Sequence, residues 1–250
     1  MTQLAAIGPK LRHEFKIVYY LYKTDVPFGA YAAYVRTRLR KLIHYREFTR
    51  ARSAAAARLN QLGSFTTDWF SAHTFEWNRV FARKQWRDRP VAALEIGSWE
   101  GRSSAYLLDT LPQASLLAVD TWEGSDEHAD TGMATGIEAR FDANTRAFAS
   151  RLKKYKGRSF SFFATQTLPS ASFDFIYIDA SHYADDVLCD ALKAFPLLKP
   201  GGVMIFDDYL WQWYPEPRHN PAAAVNAFLR LKRGEYRLLA AGDQMIVEKR

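Results

Sequence analysis

From residue 91 onward, apolar residues fall in short, nearly unbroken runs separated by longer amphipathic stretches. Val91–Ile96, Leu116–Val119, Phe160–Phe163, Phe175–Ile178 and Val203–Phe206 read as buried strands. Helical spacing marks about Glu100–Thr110, Ile137–Tyr155 and Ala184–Leu198, and another helix begins after Pro221. Tyr236–Ala240 and Met245–Val247, joined through Ala241-Gly242-Asp243, read as a hairpin. This alternation predicts an α/β fold: a mostly parallel seven-stranded sheet with covered faces and one antiparallel hairpin strand at its C-terminal end.

Before residue 66 the pattern differs. Residues 10–24 mix basic residues with Phe15, Ile17, Val18, Tyr19, Tyr20, Leu21 and Tyr22, and Pro27-Phe28-Gly29 breaks the pattern. Tyr31, Tyr34, Val35, Leu39, Leu42 and Ile43 then recur at helical spacing, Ala54–Ala57 favours a helix that Gly63 can end, and an aromatic helix covers Asp68–Gln85. The expected organisation is a basic, aromatic-rich helical extension over residues 1–65 and a catalytic domain over residues 66–250.

Charge sharpens this division. The net charge is +7, yet residues 1–60 hold twelve Lys/Arg and three Asp/Glu, so the remainder is slightly acidic. A nucleic-acid cleft within the domain is therefore disfavoured. The extension suits a helical arm that covers a site or builds a homo-oligomer; contact with an anionic membrane surface, or attraction of an acidic or lipid-linked glycan, are the alternatives. One cysteine, Cys189, reads as a packing residue and suits a reducing, cytoplasmic setting. Neither a membrane-spanning run nor a signal-peptide core is expected.

The candidate chemistry lies at two strand ends. Phe175–Ile178 ends at Asp179, with His182 three residues on, and Val203–Phe206 ends at Asp207-Asp208. As neighbouring parallel strands they bring three carboxylates and an imidazole to the edge where open α/β sheets bind ligands. Carboxylates so gathered repel unless neutralised, so Asp179, Asp207 and Asp208 are candidate ligands of a divalent cation, Mg²⁺ first.

The first strand leads into Glu95-Ile96-Gly97-Ser98-Trp99-Glu100-Gly101, which is not the dinucleotide fingerprint. The second ends at Asp120, an acid placed to hold ribose hydroxyls. The pattern suggests a nucleoside without a pyrophosphate.

In their order, LEIGSWEGRSS, AVDTWEG and FDFIYIDASH…PLLKPGGVMIFDDY resemble a class I, Rossmann-like S-adenosylmethionine-dependent methyltransferase. They are similar to the bacterial metal-dependent O-methyltransferases that act on macrolide and aminocoumarin sugars. The resemblance runs from about Trp69 to the C-terminus, including Asn220–Leu229 and Gln244–Lys249. It implies S-adenosyl-L-methionine as cofactor, with Glu95, Gly97, Ser98 and Gly101 lining its methionine part and Ser103 bonding its carboxylate. It also implies Asp120 on the ribose, Trp122 packing on the adenine, Gln166 at the adenine edge, and His182 as general base beside Asp179. Other members place an acid nearer the metal ligand, where this chain has Ser181.

The expected reaction is metal-assisted methylation of a sugar or glycan hydroxyl. A phenolic or catechol acceptor, or a non-catalytic cofactor-binding scaffold, are the alternatives. Asp179-Ala180-Ser181-His182 departs from the Asn/Asp-Pro-Pro-aromatic motif of enzymes that methylate nucleic-acid bases. Trp211, Trp213 and Tyr214 form a candidate sugar-stacking wall. His128 is placed to approach the substrate, whereas His13, His44, His73 and His219 read as surface or packing residues.

Overall fold

The structure, a computed structural model, describes residues 2–125, 133 and 135–250, with side chains from residue 13 onward. His128 lies outside the described residues. Strands β1 (Val91–Ile96), β2 (Ala114–Asp120), β3 (Leu152–Lys156), β4 (Phe173–Ile178), β5 (Leu198–Phe206), β6 (Tyr236–Ala241) and β7 (Met245–Lys249) form one sheet in the order β3-β2-β1-β4-β5-β7-β6. The first five run parallel; β7 is antiparallel to both β5 and β6. The expected α/β sheet with its terminal hairpin is what the chain forms.

Side chains alternate across this sheet, as the strand period of two requires. Leu94, Ile96, Ile176, Ile178, Met204 and Phe206 face one core, closed by α7 (Ser159–Thr165), α8 (Ala184–Ala194) and α9 (Pro221–Leu231). Ala93, Phe175, Tyr177, Val203 and Ile205 face the other, covered by α4 (Thr74–Lys84) and α5 (Arg102–Thr110). Trp77 of α4 sits fully buried there, within 5.0 Å, ring centre to ring centre, of both Phe175 and Tyr177.

Four expected elements change. Phe160–Phe163 is not a strand but part of α7; the third strand lies in what read as the tail of a long helix. That helix, α6, covers only Ile137–Thr145, and a 3₁₀ segment, Arg146–Arg151, leads into β3. β3 is an edge strand of sequence LKKYK, and lysines blunt an exposed edge, so it lacks the apolar run that marks an interior strand. The expected Asp68–Gln85 helix starts only at Thr74, after a 3₁₀ turn at Ser71–His73, and Leu198 opens β5 instead of closing α8.

The N-terminal helices α1 (Thr2–Lys23), α2 (Phe28–Ile43) and α3 (Tyr45–Leu62) pack directly on this frame. Asn226 of α9, completely buried, donates to the Thr24 carbonyl at 3.0 Å and accepts from the Tyr209 hydroxyl at 2.8 Å. Thr37 of α2 accepts from the Ala241 amide of β6, and the Tyr20 hydroxyl donates to the Trp211 carbonyl.

At the opposite end of the sheet from the strand-end acids, Asp174 accepts hydrogen bonds from Lys199, Arg89 and the Ala92 amide. Burial alone would raise its carboxyl pKa; these partners outweigh burial and hold it below the ordinary value. A depressed carboxyl pKa contributes stability above the unfolded-state value that is lost as pH falls through the folded one. Asp174→Asn is therefore expected to destabilise the protein by about 1 kcal/mol at neutral pH. Urea unfolding followed by circular dichroism should show that deficit shrinking below about pH 4.

Candidate functional site

The hydrogen-bond ladder continues one residue beyond the strands. The Gly97 amide donates to Val119 O, the Asp179 amide to Ile96 O and the Asp207 amide to Ile178 O, at 2.7–2.9 Å. Gly97, Asp120, Asp179 and Asp207 thus stand abreast at the C-terminal edge, where strand order reverses between β1 and β4. The turn after β1 passes so close to that after β4 that a Cβ on Gly97 would lie 2.0 Å from the Asp179 carbonyl oxygen. Gly97 also has φ +87°, which glycine alone adopts without strain.

On the β1–β2 side, Asp120 organises the turn. One carboxylate oxygen accepts from the Ser98 and Trp99 amides at 2.6 and 2.9 Å; the other accepts from the Trp122 amide at 2.7 Å and keeps a lone pair for a further donor. Glu95 is buried beneath, accepting from Ser98 Oγ at 2.8 Å and from Ser104 Oγ. Its pKa is raised by burial, against the hydroxyls of Ser103, Ser104 and Ser98, with Asp120 adding repulsion. Ser103 therefore faces Glu95 here. Gly101, at φ +80°, opens the way into α5.

Two further expected contacts have defined surroundings. Trp122 is 5% exposed: its indole packs 4.9 Å from Phe141, Lys154 sits over it, and Nε1 donates to the Trp99 carbonyl. Gln166 follows α7 rather than a strand and is exposed.

On the β4–β5 side, Asp179, His182 and Asp208 come together, with one donor atom from each within 4.8 Å of the others. His182 Nε2 lies 2.9 Å from Asp208 and 4.0 Å from Asp179, and its ring is 4.8 Å from Trp211. Asp207 turns aside: one oxygen accepts the Tyr177 hydroxyl, the other accepts the Asp208 amide and stands 3.8 Å from His73. Asp207 continues the face of Val203 and Ile205 toward Tyr177, as the strand period of two requires, and Asp208 after it adopts φ +53°. Burial, with repulsion from Asp207 and Asp208, pushes the Asp179 carboxyl well above its usual range despite His182; burial likewise raises Asp207. Ser181 donates to Asp186 in the first turn of α8.

Tyr177, Gln244 and Glu100 also support the site, and His73, expected as a surface or packing residue, stands beside Asp207. Gln244 links the Trp77 indole to the Tyr177 hydroxyl, which in turn holds Asp207. Glu100, 1% exposed, pairs with Arg140 and accepts from Thr66, tying the turn after β1 to the chain entering the domain. A buried tyrosine two residues before a strand-end acid was the available signal, since its hydroxyl must find an acceptor.

The wall beside His182 is also ordered. Trp211 and Trp213 stack at 6.0 Å and 16°, and Trp213 is 59% exposed. Asn220 fixes this loop with four hydrogen bonds, to the Trp213 and Tyr214 amides and the Tyr214 and Glu216 carbonyls.

Residues 94–209 match a family described as a methyltransferase domain. An uncharacterized protein of Sinorhizobium fredii is 28% identical over 140 residues, covering 51% of this chain and only 15% of that one. Among solved structures, the MycE methyltransferase of the mycinamycin biosynthetic pathway, in complex with Mg, S-adenosylhomocysteine (SAH) and mycinamycin VI, has a TM-score of 0.55 at 18% identity; the match covers 80% of this chain and 54% of MycE. The O-methyltransferase TomG of Streptomyces achromogenes, in complex with S-adenosylmethionine (SAM), has a TM-score of 0.54 at 19% identity, covering 80% of this chain and 89% of TomG. The chain spans 15% of the first of these relatives and about half, 54%, of MycE.

Glu95 supplies a test of the electrostatics. Its raised pKa means the folded protein binds that proton more tightly than the unfolded chain, so ionisation costs stability as pH rises. Glu95→Gln is expected to unfold at higher urea than the parent at neutral pH, with the margin closing as pH falls through the raised value. Gly97→Ala should lose at least about 3 kcal/mol in the same assay.

Proposed function

We propose that the chain carries a class I methyltransferase domain and is an S-adenosylmethionine-dependent O-methyltransferase whose acceptor is a sugar or glycan hydroxyl, assisted by a divalent cation. The observation that carries this reading is the meeting of Asp179, His182 and Asp208 at the strand-order reversal, beside the turn pinned by Asp120. The MycE and TomG likenesses support the same reaction class.

The cofactor fits the β1–β2 edge. Gly97 leaves the backbone bare where a ligand must approach, Asp120 retains acceptor capacity for a ribose hydroxyl, and Gly101 admits the chain to the N-terminus of α5, which favours a carboxylate. Ser98 and Ser103 border that place, Trp122 supports the turn from beneath, and Gln166 lies beyond α7 for the adenine edge.

A hard divalent cation fits the β4–β5 edge. The donor set is oxygen-rich, and burial together with the acidic neighbours raises the Asp179 carboxyl pKa, a strain that a cation would relieve. Asp179 and Asp208 would hold it, with Asp207 anchored behind them by Tyr177. When bound, it would lower the pKa of an acceptor hydroxyl. His182 takes the hydroxyl proton, Asp208 steadies the resulting imidazolium, and Trp211 fixes the ring. Trp211 and Trp213 offer flat apolar faces on which a pyranose ring can stack.

The test is a calorimetric titration of Mg²⁺ into protein saturated with SAH. Saturable binding is expected, reduced at least about tenfold by Asp208→Ala and less by Asp207→Asn. His182→Ala should retain SAH binding while losing at least about 100-fold in turnover on a sugar acceptor. Absence of Mg²⁺ binding, with SAH still bound, would sink the metal-assisted reading and favour a more acidic phenolic acceptor.

A further inference from the structure

The N-terminal helices carry a surface the site does not use. Nine of the fourteen exposed large apolar side chains among the described residues lie between Phe15 and Tyr45. On α1, Phe15, Tyr19 and Tyr22 recur at intervals of four and three, which places them on one face; Ile17, Tyr20 and Leu21 are buried on the other. On α2, Val35, Leu39 and Leu42 repeat the spacing opposite the buried Ala30, Ala33, Tyr34 and Thr37. Both helices are thus used twice, once to pack on the domain and once outward.

Charge selects the occupant. Residues 1–60 carry twelve basic and three acidic side chains. All three acids are engaged: Glu14 with Tyr34 and Arg38, Asp25 with Arg230, and Glu47 with His44. Lys16 and Lys23 flank the α1 stripe, and Lys23 Nζ lies 5.4 Å from the Tyr19 ring centre. A second copy would bring like charge against like charge. No described helix is long and apolar enough to cross a membrane. Apolar stripes bordered by lysine and arginine suit a flat anionic surface, where aromatic and leucine side chains enter the acyl boundary and the cations meet headgroups.

We propose that α1 and α2 dock this protein on an anionic phospholipid surface, with the Phe15–Tyr19–Tyr22 and Val35–Leu39–Leu42 stripes inserted. The Tyr20 hydroxyl, on the opposite, buried face of α1, donates to the Trp211 carbonyl and so ties the docked helix to the domain. This inference is independent of the chemistry at Asp179, His182 and Asp208.

The test is co-sedimentation of the full chain with vesicles of phosphatidylcholine alone and of phosphatidylcholine mixed with phosphatidylglycerol. Binding is expected only to the mixed vesicles and should weaken as salt rises. Leu39→Glu with Leu42→Glu should lower that binding at least about tenfold, with circular dichroism and SAH affinity unchanged. Tyr19→Ser with Tyr22→Ser, on the other helix, gives the same test should the first pair not fold. Failure to bind the mixed vesicles, or equal binding by folded variants, overturns the proposal. Concentration-dependent self-association abolished by the same substitutions also overturns it, and assigns the stripes to a second copy.

Discussion

The C-terminal edge of the sheet depends on how closely two backbones pass. The turn leaving β1 and the turn leaving β4 touch at Gly97 and the Asp179 carbonyl, with no room between them for even a methyl group. That contact sets the separation of the two halves of the site, and the ladder bonds at Gly97, Asp179 and Asp207 hold its level. Asp120 then clamps the turn from the β2 side, and Tyr177 clamps Asp207 from the core. The functional groups need little flexible support, because main-chain geometry has already placed them.

Such an arrangement is electrostatically costly before any ligand arrives. Glu95 and Asp120 stand near each other on one side, and Asp179, Asp207 and Asp208 on the other. Three serines, one tyrosine and two histidines offset part of the repulsion and leave the rest as raised carboxyl pKa values. A sheet edge that accepts this cost is suited to ligands carrying positive charge, and a sulfonium nucleoside and a divalent cation both do.

Much of this was legible in the chain. β1, β4 and β5 are covered on both faces, so they appear as apolar runs, and each ends at a residue of the site. β3 was not legible, because an edge strand is free to be lysine-rich, and three phenylalanines nearby drew the assignment to what is α7. The gathering of Asp179, His182 and Asp208 followed from strand adjacency, but the separate orientation of Asp207 did not. It rests on the Tyr177 hydroxyl and the Asp208 amide, and the left-handed backbone of Asp208 beside it leaves no compositional mark. His73, Gln244 and Trp77 reach the site from distant positions, and no local pattern announces such a convergence.

The loop after β5 hangs largely on one side chain. Asn220 saturates its amide on four backbone groups and thereby sets the path of residues 213–216, while the side chains facing outward take no part in those bonds. Shape and surface chemistry are thereby uncoupled. Related chains could exchange the aromatic faces of this segment one at a time without re-solving the folding of the loop, so the surface it presents is free to diverge over evolutionary time while the strands and the acids beneath it stay fixed.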